Sequence, residues 1–161
     1  MRLVGALHVT TPSEREIAMT REFDAPRRLV FDAYTKPELV MRWAGGPPGW
    51  RMVACEIDLR VGGRWHWLTE GPDGMQMGFG GVYQEIAAPE RLVSTEVFDQ
   101  PWYEGEAINR LELDELAKGR TRLTVTVRYA SQTIRDAVLK TPMAEGMESG
   151  FVSLAALLAT L

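Results

Sequence analysis

The chain has 161 residues and a formal net charge of −4, with 45% hydrophobic and 25% charged side chains. That length and mix fit one globular domain spanning residues 1–161, able to bury roughly 70% of the surface its unfolded form exposes. The acidic balance argues against a nucleic-acid partner, which needs a basic face, and Cys55, the one cysteine, excludes an internal disulfide.

Residues Met1–Ser13 show no clear period and read as a loose N-terminal arm. Their apolar run is interrupted by His8 and Thr10 too soon for a signal peptide. From Glu14 the pattern alternates, with Ile17, Met19 and Phe23 on one face, and predicts a strand. Asp24-Ala25-Pro26 stops it. Two short helices follow, the second opened by Pro37 and ending near Trp43. The Gly/Pro run Ala44–Gly49 fits neither helix nor strand.

Six further strands are expected, over Trp50–Leu59, Gly63–Thr69, Met75–Ala87, Arg91–Phe98, Gly105–Glu115 and Arg120–Tyr129. Gly62-Gly63, Pro72-Asp73-Gly74, Ala88-Pro89-Glu90 and Lys118-Gly119 supply turns between them. Connections this short leave no room for crossover helices, so the sheet is antiparallel. Ser131–Lys140 reads as a short helix. Beyond Pro142, Met143, Met147, Phe151, Leu154, Leu158 and Leu161 recur at helical spacing and predict a long amphipathic helix. The apolar run Phe151–Leu161 is about half the ~20 residues a membrane-spanning helix needs. No membrane partner is expected, and a reducing, cytoplasmic setting follows.

Catalytic signatures are sparse. His8 and His66 with one Cys give no metal-ligand spacing, so no metal or other cofactor is expected. His66, between Trp65 and Trp67, should face away from them toward solvent. Cys55 sits among Val53, Ile57 and Leu59 and reads as a small buried hydrophobe. Asp58 and Arg60 share a strand face beside a Gly-Gly turn and read as a hairpin brace. No G-x-S-x-G elbow or phosphate-binding loop is present. Glu85, Glu96 and Tyr83 are the nominees for an inward acid or base, and none of them is assigned a catalytic role.

The order of elements, a strand, two short helices, six strands and a long last helix, resembles the helix-grip fold of START-like proteins. Arg21–Pro26 resembles the R-x-F-x-A-P lead-in to the first helix, Arg42-Trp43 plus its Gly/Pro loop an R-W-W-G-P segment, and Asp58–Trp65 a D-x-R-x-G-G-x-W hairpin. Gly81–Ile86, Pro89–Leu92, Gly119–Thr124 and Gly146–Phe151 follow in the family's order. Together they are similar to the branch named for activators of the ninety-kilodalton heat-shock protein ATPase, in its C-terminal-domain type. The chain departs at Ala44, where the branch has a second Trp. The resemblance implies an α+β fold in which a curved antiparallel sheet of about seven strands wraps the last helix. It also implies an internal cavity between sheet and helix.

Large apolar side chains on the inward faces point to a site for a small apolar molecule with a polar end. The expected walls are Trp65, Trp67, Phe79, Tyr83, Met143, Met147 and Phe151, with Trp43 near the mouth and Asn109 as the inward polar group. A cyclase- or hydrolase-like enzyme using the same cavity is the second reading, and a module binding a chaperone ATPase the third. A homodimer is compatible with all three.

Overall fold

The computed structural model describes all residues, Met1–Leu161. Nine strands form one antiparallel sheet, and four helices complete the fold. In chain order the elements are β1 (Arg2–Val4), β2 (Leu7–Thr10), β3 (Glu16–Phe23), α1 (Arg27–Thr35), α2 (Pro37–Trp43), β4 (Arg51–Ile57) and β5 (Arg64–Glu70). Then come β6 (Gln76–Ala87), β7 (Arg91–Phe98), β8 (Ala107–Leu116), β9 (Arg120–Arg128), α3 (Gln132–Leu139) and α4 (Met143–Leu158). The spatial order is β1-β2-β3-β9-β8-β7-β6-β5-β4, so β3 pairs with the last strand and closes the two halves of the chain onto each other.

The breaks lie where backbone chemistry puts them. Pro26 precedes α1, and Pro37 opens α2 after an extended Lys36. The Ser131 hydroxyl accepts from the Ile134 N–H at 3.2 Å and caps α3. In β9, Leu123, Val125 and Val127 are buried and Arg122, Thr124 and Arg128 face outward, as the alternation predicts, but Thr126, which the same alternation puts on the wet face, is buried too. Leu123, Val125 and Val127 share one core cluster with Phe151, Leu154 and Leu158 of α4, so the sheet grips the last helix. Leu161, the expected end of the helical stripe, lies past the helix and is exposed.

The expected loose arm is a correction. Arg2–Thr10 folds as the hairpin β1–β2, which extends the sheet from about seven strands to nine. Leu7 is fully buried and Val9 nearly so, while the carboxylate of Glu148 on α4 binds the turn. One Glu148 oxygen accepts from the Ala6 N–H at 2.6 Å and the other from Arg21 of β3 at 2.6 Å. Gly5 is required there: its φ is +57°, and a Cβ would lie 2.3 Å from the Glu148 carboxylate. Arg2 pairs with Glu145 one turn earlier on the same helix.

Candidate functional site

β5, β6 and β7 carry their aromatic residues on one face by simple alternation, and curvature of the sheet brings those rings together. Trp65 and Trp67 of β5 meet edge to face at 5.7 Å, and Phe79 of β6 touches both, at 6.0 and 5.8 Å. The chain of rings continues from Phe79 to Phe98 (5.7 Å), Tyr103 (6.1 Å) and Tyr129 (5.8 Å). In the other direction Trp67 meets Trp43 of α2 at 6.1 Å, and Trp43 stacks on Phe151 of α4 at 6.4 Å. The concave face is thus an aromatic wall from α4 to the end of β9.

A polar centre interrupts it. Asn109 shares its face of β8 with the buried Leu111 and Leu113, as the alternation predicts. Its amide N–H donates to the Glu96 carboxylate of β7 at 2.6 Å. The Asn109 carbonyl oxygen is buried and has no partner. Neither does the indole N–H of Trp65, a residue only 7% exposed. Buried polar atoms are nearly always satisfied, so two orphans on one face ask what satisfies them.

Strand register relates the two. Trp65 pairs with Gly81 on β6, the Gly80–Val97 pair sets Gly81 opposite Glu96, and Glu96 pairs with Ala107, two residues from Asn109. Trp65 and Glu96 are two strand spacings apart, roughly 10 Å, and glycine leaves no side chain between them. No larger residue fits, because a Cβ on Gly81 would lie 1.9 Å from the Thr95 carbonyl oxygen. The crowding reflects a local irregularity, where the Val82 N–H donates to the Thr95 hydroxyl at 2.9 Å.

Burial sets the protonation chemistry. The Glu96 carboxyl is held above the usual carboxylate range by desolvation, with the Asn109 hydrogen bond pulling partly back. Burial pushes the Tyr103 hydroxyl up to about 12, with Glu96 adding to the rise. It raises Tyr129 further, with smaller contributions from Tyr103 and Glu96. Both phenols therefore remain hydrogen-bond donors near neutrality. The Cys55 thiol is pushed up to about 11 by burial, then by Glu38 and Glu56, so it is no nucleophile at neutral pH.

The raised Glu96 value has a stability consequence. The folded state keeps this proton to higher pH than the unfolded chain does, so the group's contribution is fully present below the ordinary glutamate range. It is lost as pH rises through the raised folded value. Glu96→Gln, which keeps an acceptor for Asn109, is expected to flatten the fall in urea midpoint on the alkaline side of ~4.3. A fall of unchanged slope in the variant would assign the pH dependence elsewhere.

The opening lies at the loop from Asp99 to Glu106. A cleft of ≈ 650 Å³ is lined there by Val97, Phe98, Pro101, Trp102, Tyr103 and Glu104. Phe98 and Tyr103 belong both to this cleft and to the ring chain, so the cleft is the outer end of the aromatic face. Its size falls in the usual range of small-molecule sites, about 300–1,000 Å³.

Of the expected wall residues, Trp43, Trp65, Trp67, Phe79 and Phe151 are joined by ring contacts and Asn109 lies at the polar centre, and none of them lines the ≈ 650 Å³ cleft. Tyr83 is buried on the same face of β6, and Met147 packs partly buried against the core. Two placements are corrected. Trp43 is 7% exposed and does not stand at the mouth, because its indole N–H donates to the Ala33 carbonyl at 2.8 Å and locks α2 onto α1. Met143 lines a separate groove of ≈ 250 Å³ with Val9 and Thr10, because the N-terminal hairpin occupies that end of α4.

Of the nominated acids and bases, Glu96 is the one at the polar centre. Glu85 pairs with Arg91 at 2.7 Å on a side chain 46% exposed. Asp58 and Arg60 form an exposed pair at 2.8 Å beside the Gly62-Gly63 turn, the brace expected. His66 lies outside the wall, against Asp99 at 2.8 Å. The sequence reading missed Phe98, Tyr103 and Tyr129 as wall residues, and Tyr34 of α1, whose ring meets Trp43 at 5.0 Å and Trp67 at 6.4 Å. Alternation from Glu96 would have found Phe98, and alternation from Val127 would have found Tyr129. No group of three or more His, Cys, Asp or Glu side chains is placed to hold a metal, and no helix is long and apolar enough to cross a membrane.

A curved antiparallel sheet closed on a long terminal helix, with an aromatic concave face, defines a START-like helix-grip protein. The chain belongs to the family described as Activator of Hsp90 ATPase homolog 1-like protein, whose model matches residues 24–159. A crystal structure of a Rhodobacter sphaeroides protein is 30% identical with a TM-score of 0.90, covering 97% of this chain and 99% of that one. A Nitrosomonas europaea protein is 25% identical with a TM-score of 0.81, covering 93% and 97%. An HSP90 activator from Plasmodium falciparum shares the fold at 21% identity and a TM-score of 0.59, covering 85% and 87%. No curated protein matches this chain.

Proposed function

We propose that the chain binds a small, largely apolar molecule that carries one hydrogen-bonding end. The molecule enters at the loop Asp99–Glu106 and lies along Phe98, Tyr103, Phe79 and Tyr129. The observation that carries this reading is the pair of buried, unpartnered atoms on the aromatic face, the Asn109 carbonyl oxygen and the Trp65 indole N–H. An entirely apolar ligand would leave both unsatisfied, and an orphaned buried polar group costs roughly 1–3 kcal/mol. A hydroxyl can donate to the first or accept from the second.

The test is titration of the tryptophan fluorescence with 2-naphthol and with naphthalene. The expected result is saturable quenching by both, with 2-naphthol about fivefold tighter, the worth of a typical net hydrogen bond of ~1 kcal/mol. Asn109→Leu should narrow that gap. Equal affinities, or no saturable response, would overturn the reading.

An enzyme that uses the same face is the second reading. It is favoured by Glu96, an inward carboxyl whose raised proton affinity suits a general acid. The family's description also supports a chaperone partner, which would need an exposed apolar surface. Val97 and Trp102, 42% and 50% exposed, supply one, but they also line the cleft, so the small-molecule reading accounts for them as well.

A further inference from the structure

We infer that the polar end of the ligand is a cation, and that the cleft selects a protonated amine on an apolar body. This inference rests on the binding reading above and adds the charge of the ligand to it. Four features of the cleft and of the polar centre on the aromatic face behind it point the same way.

First, the rings nearest the polar centre, Phe98, Tyr103 and Tyr129, follow one another at 6.1 and 5.8 Å, each near perpendicular to the next. Such a corner presents both ring faces and edges, and an ammonium group is attracted to the faces of aromatic rings. Second, the side chains at the centre supply acceptors. The Asn109 carbonyl oxygen is free, and Glu96 uses one carboxylate oxygen toward Asn109. An ammonium group has three N–H donors and no acceptor, so it complements such a pair. Third, the ionisable groups of the loop and of the cleft lining are all acids or the high-pKa phenol Tyr103. The loop Asp99–Glu106 carries Asp99, Glu104 and Glu106, and neither it nor the cleft lining contains Lys or Arg. Asp99 is engaged by His66, which leaves Glu104 and Glu106 at the rim. A carboxylate ligand would meet like charge all the way in, whereas a cation would be drawn inward.

Fourth, Glu96 is a half-buried carboxyl with no basic partner, only an amide donor. A carboxylate in that position is costly unless a positive charge arrives beside it. A bound ammonium supplies that charge, and its hydrogen bond to Glu96 would be charge-assisted on both sides. The Trp65 indole N–H, two strands away, can then meet an oxygen in the body of the same ligand.

Three probes of one shape separate the alternatives: 2-naphthylmethylamine, 2-naphthylmethanol and 2-naphthoate, titrated against the full chain at neutral pH by calorimetry. The expected order is amine tightest, by about tenfold over the alcohol, with the carboxylate weakest. In Glu96→Gln, which keeps the size and the Asn109 acceptor, the ratio of amine to alcohol should fall toward one. Tyr103→Leu, which removes the ring face but keeps an apolar side chain, should lower the same ratio. An alcohol that binds as tightly as the amine, or an amine advantage that survives Glu96→Gln, overturns the cation while leaving the binding site standing. No binding of any of the three overturns both.

Discussion

Glu148→Ala is expected to cost ~3–5 kcal/mol of unfolding free energy, because it strands Arg21 as an uncompensated buried charge. The two side chains are only 11% and 12% exposed, and their contact at 2.6 Å joins β3 to α4. The same carboxylate holds the Ala6 N–H, so the variant also releases the turn of the N-terminal hairpin. Arg21 does lie over the Phe23 ring, 5.0 Å from its centroid, but an aromatic face replaces little of a carboxylate. The double variant Arg21→Met with Glu148→Met should lose much less than Glu148→Ala, since it removes both charges together. Urea unfolding of the three proteins checks this. A double variant as unstable as the single would show that the pair acts through packing and not through charge.

Phe151→Ala should be of similar size, ~3–5 kcal/mol. Phe151 is fully buried at the centre of the fold. It meets Phe23 of β3 edge to face at 5.8 Å and stacks on Trp43 of α2 at 6.4 Å, so one ring ties three elements together. Loss of the ring leaves a cavity that helix, strand and α2 cannot all close. A fall in the unfolding free energy below 1 kcal/mol would mean that the sheet relaxes onto α4 and that the aromatic wall is softer than described.

How much of this was legible depends on the length of each pattern. β9 alternates over its whole length, and α4 repeats its apolar stripe across sixteen residues, so both could be read directly. The hairpin β1–β2 could not. Leu7 and Val9 give only two positions of alternation, and the contact that anchors the turn comes from Glu148, 142 residues away. The inward direction of Asn109 followed from Leu111 and Leu113, but its partner did not, since Glu96 lies across a connection of irregular loop that leaves register open. The same loop hid the mouth, because Trp102 and Tyr103 sit in no periodic segment. Trp43 looked like a rim residue beside a Gly/Pro loop. Its indole hydrogen bond to Ala33, ten residues back, is a tertiary choice that spacing does not encode.

The binding reading is reached most directly through the Trp65 indole N–H, which is buried and unpartnered. Its nitrogen–proton resonance can be assigned by its loss in Trp65→Phe and followed in the 15N-labelled chain during titration with 2-naphthol. A saturable shift of that resonance is predicted, together with shifts of the Asn109 side-chain amide and the backbone amides of residues 97–105. Shifts confined to exposed residues outside the cleft, with the Trp65 and Asn109 resonances unmoved at saturation, would contradict it.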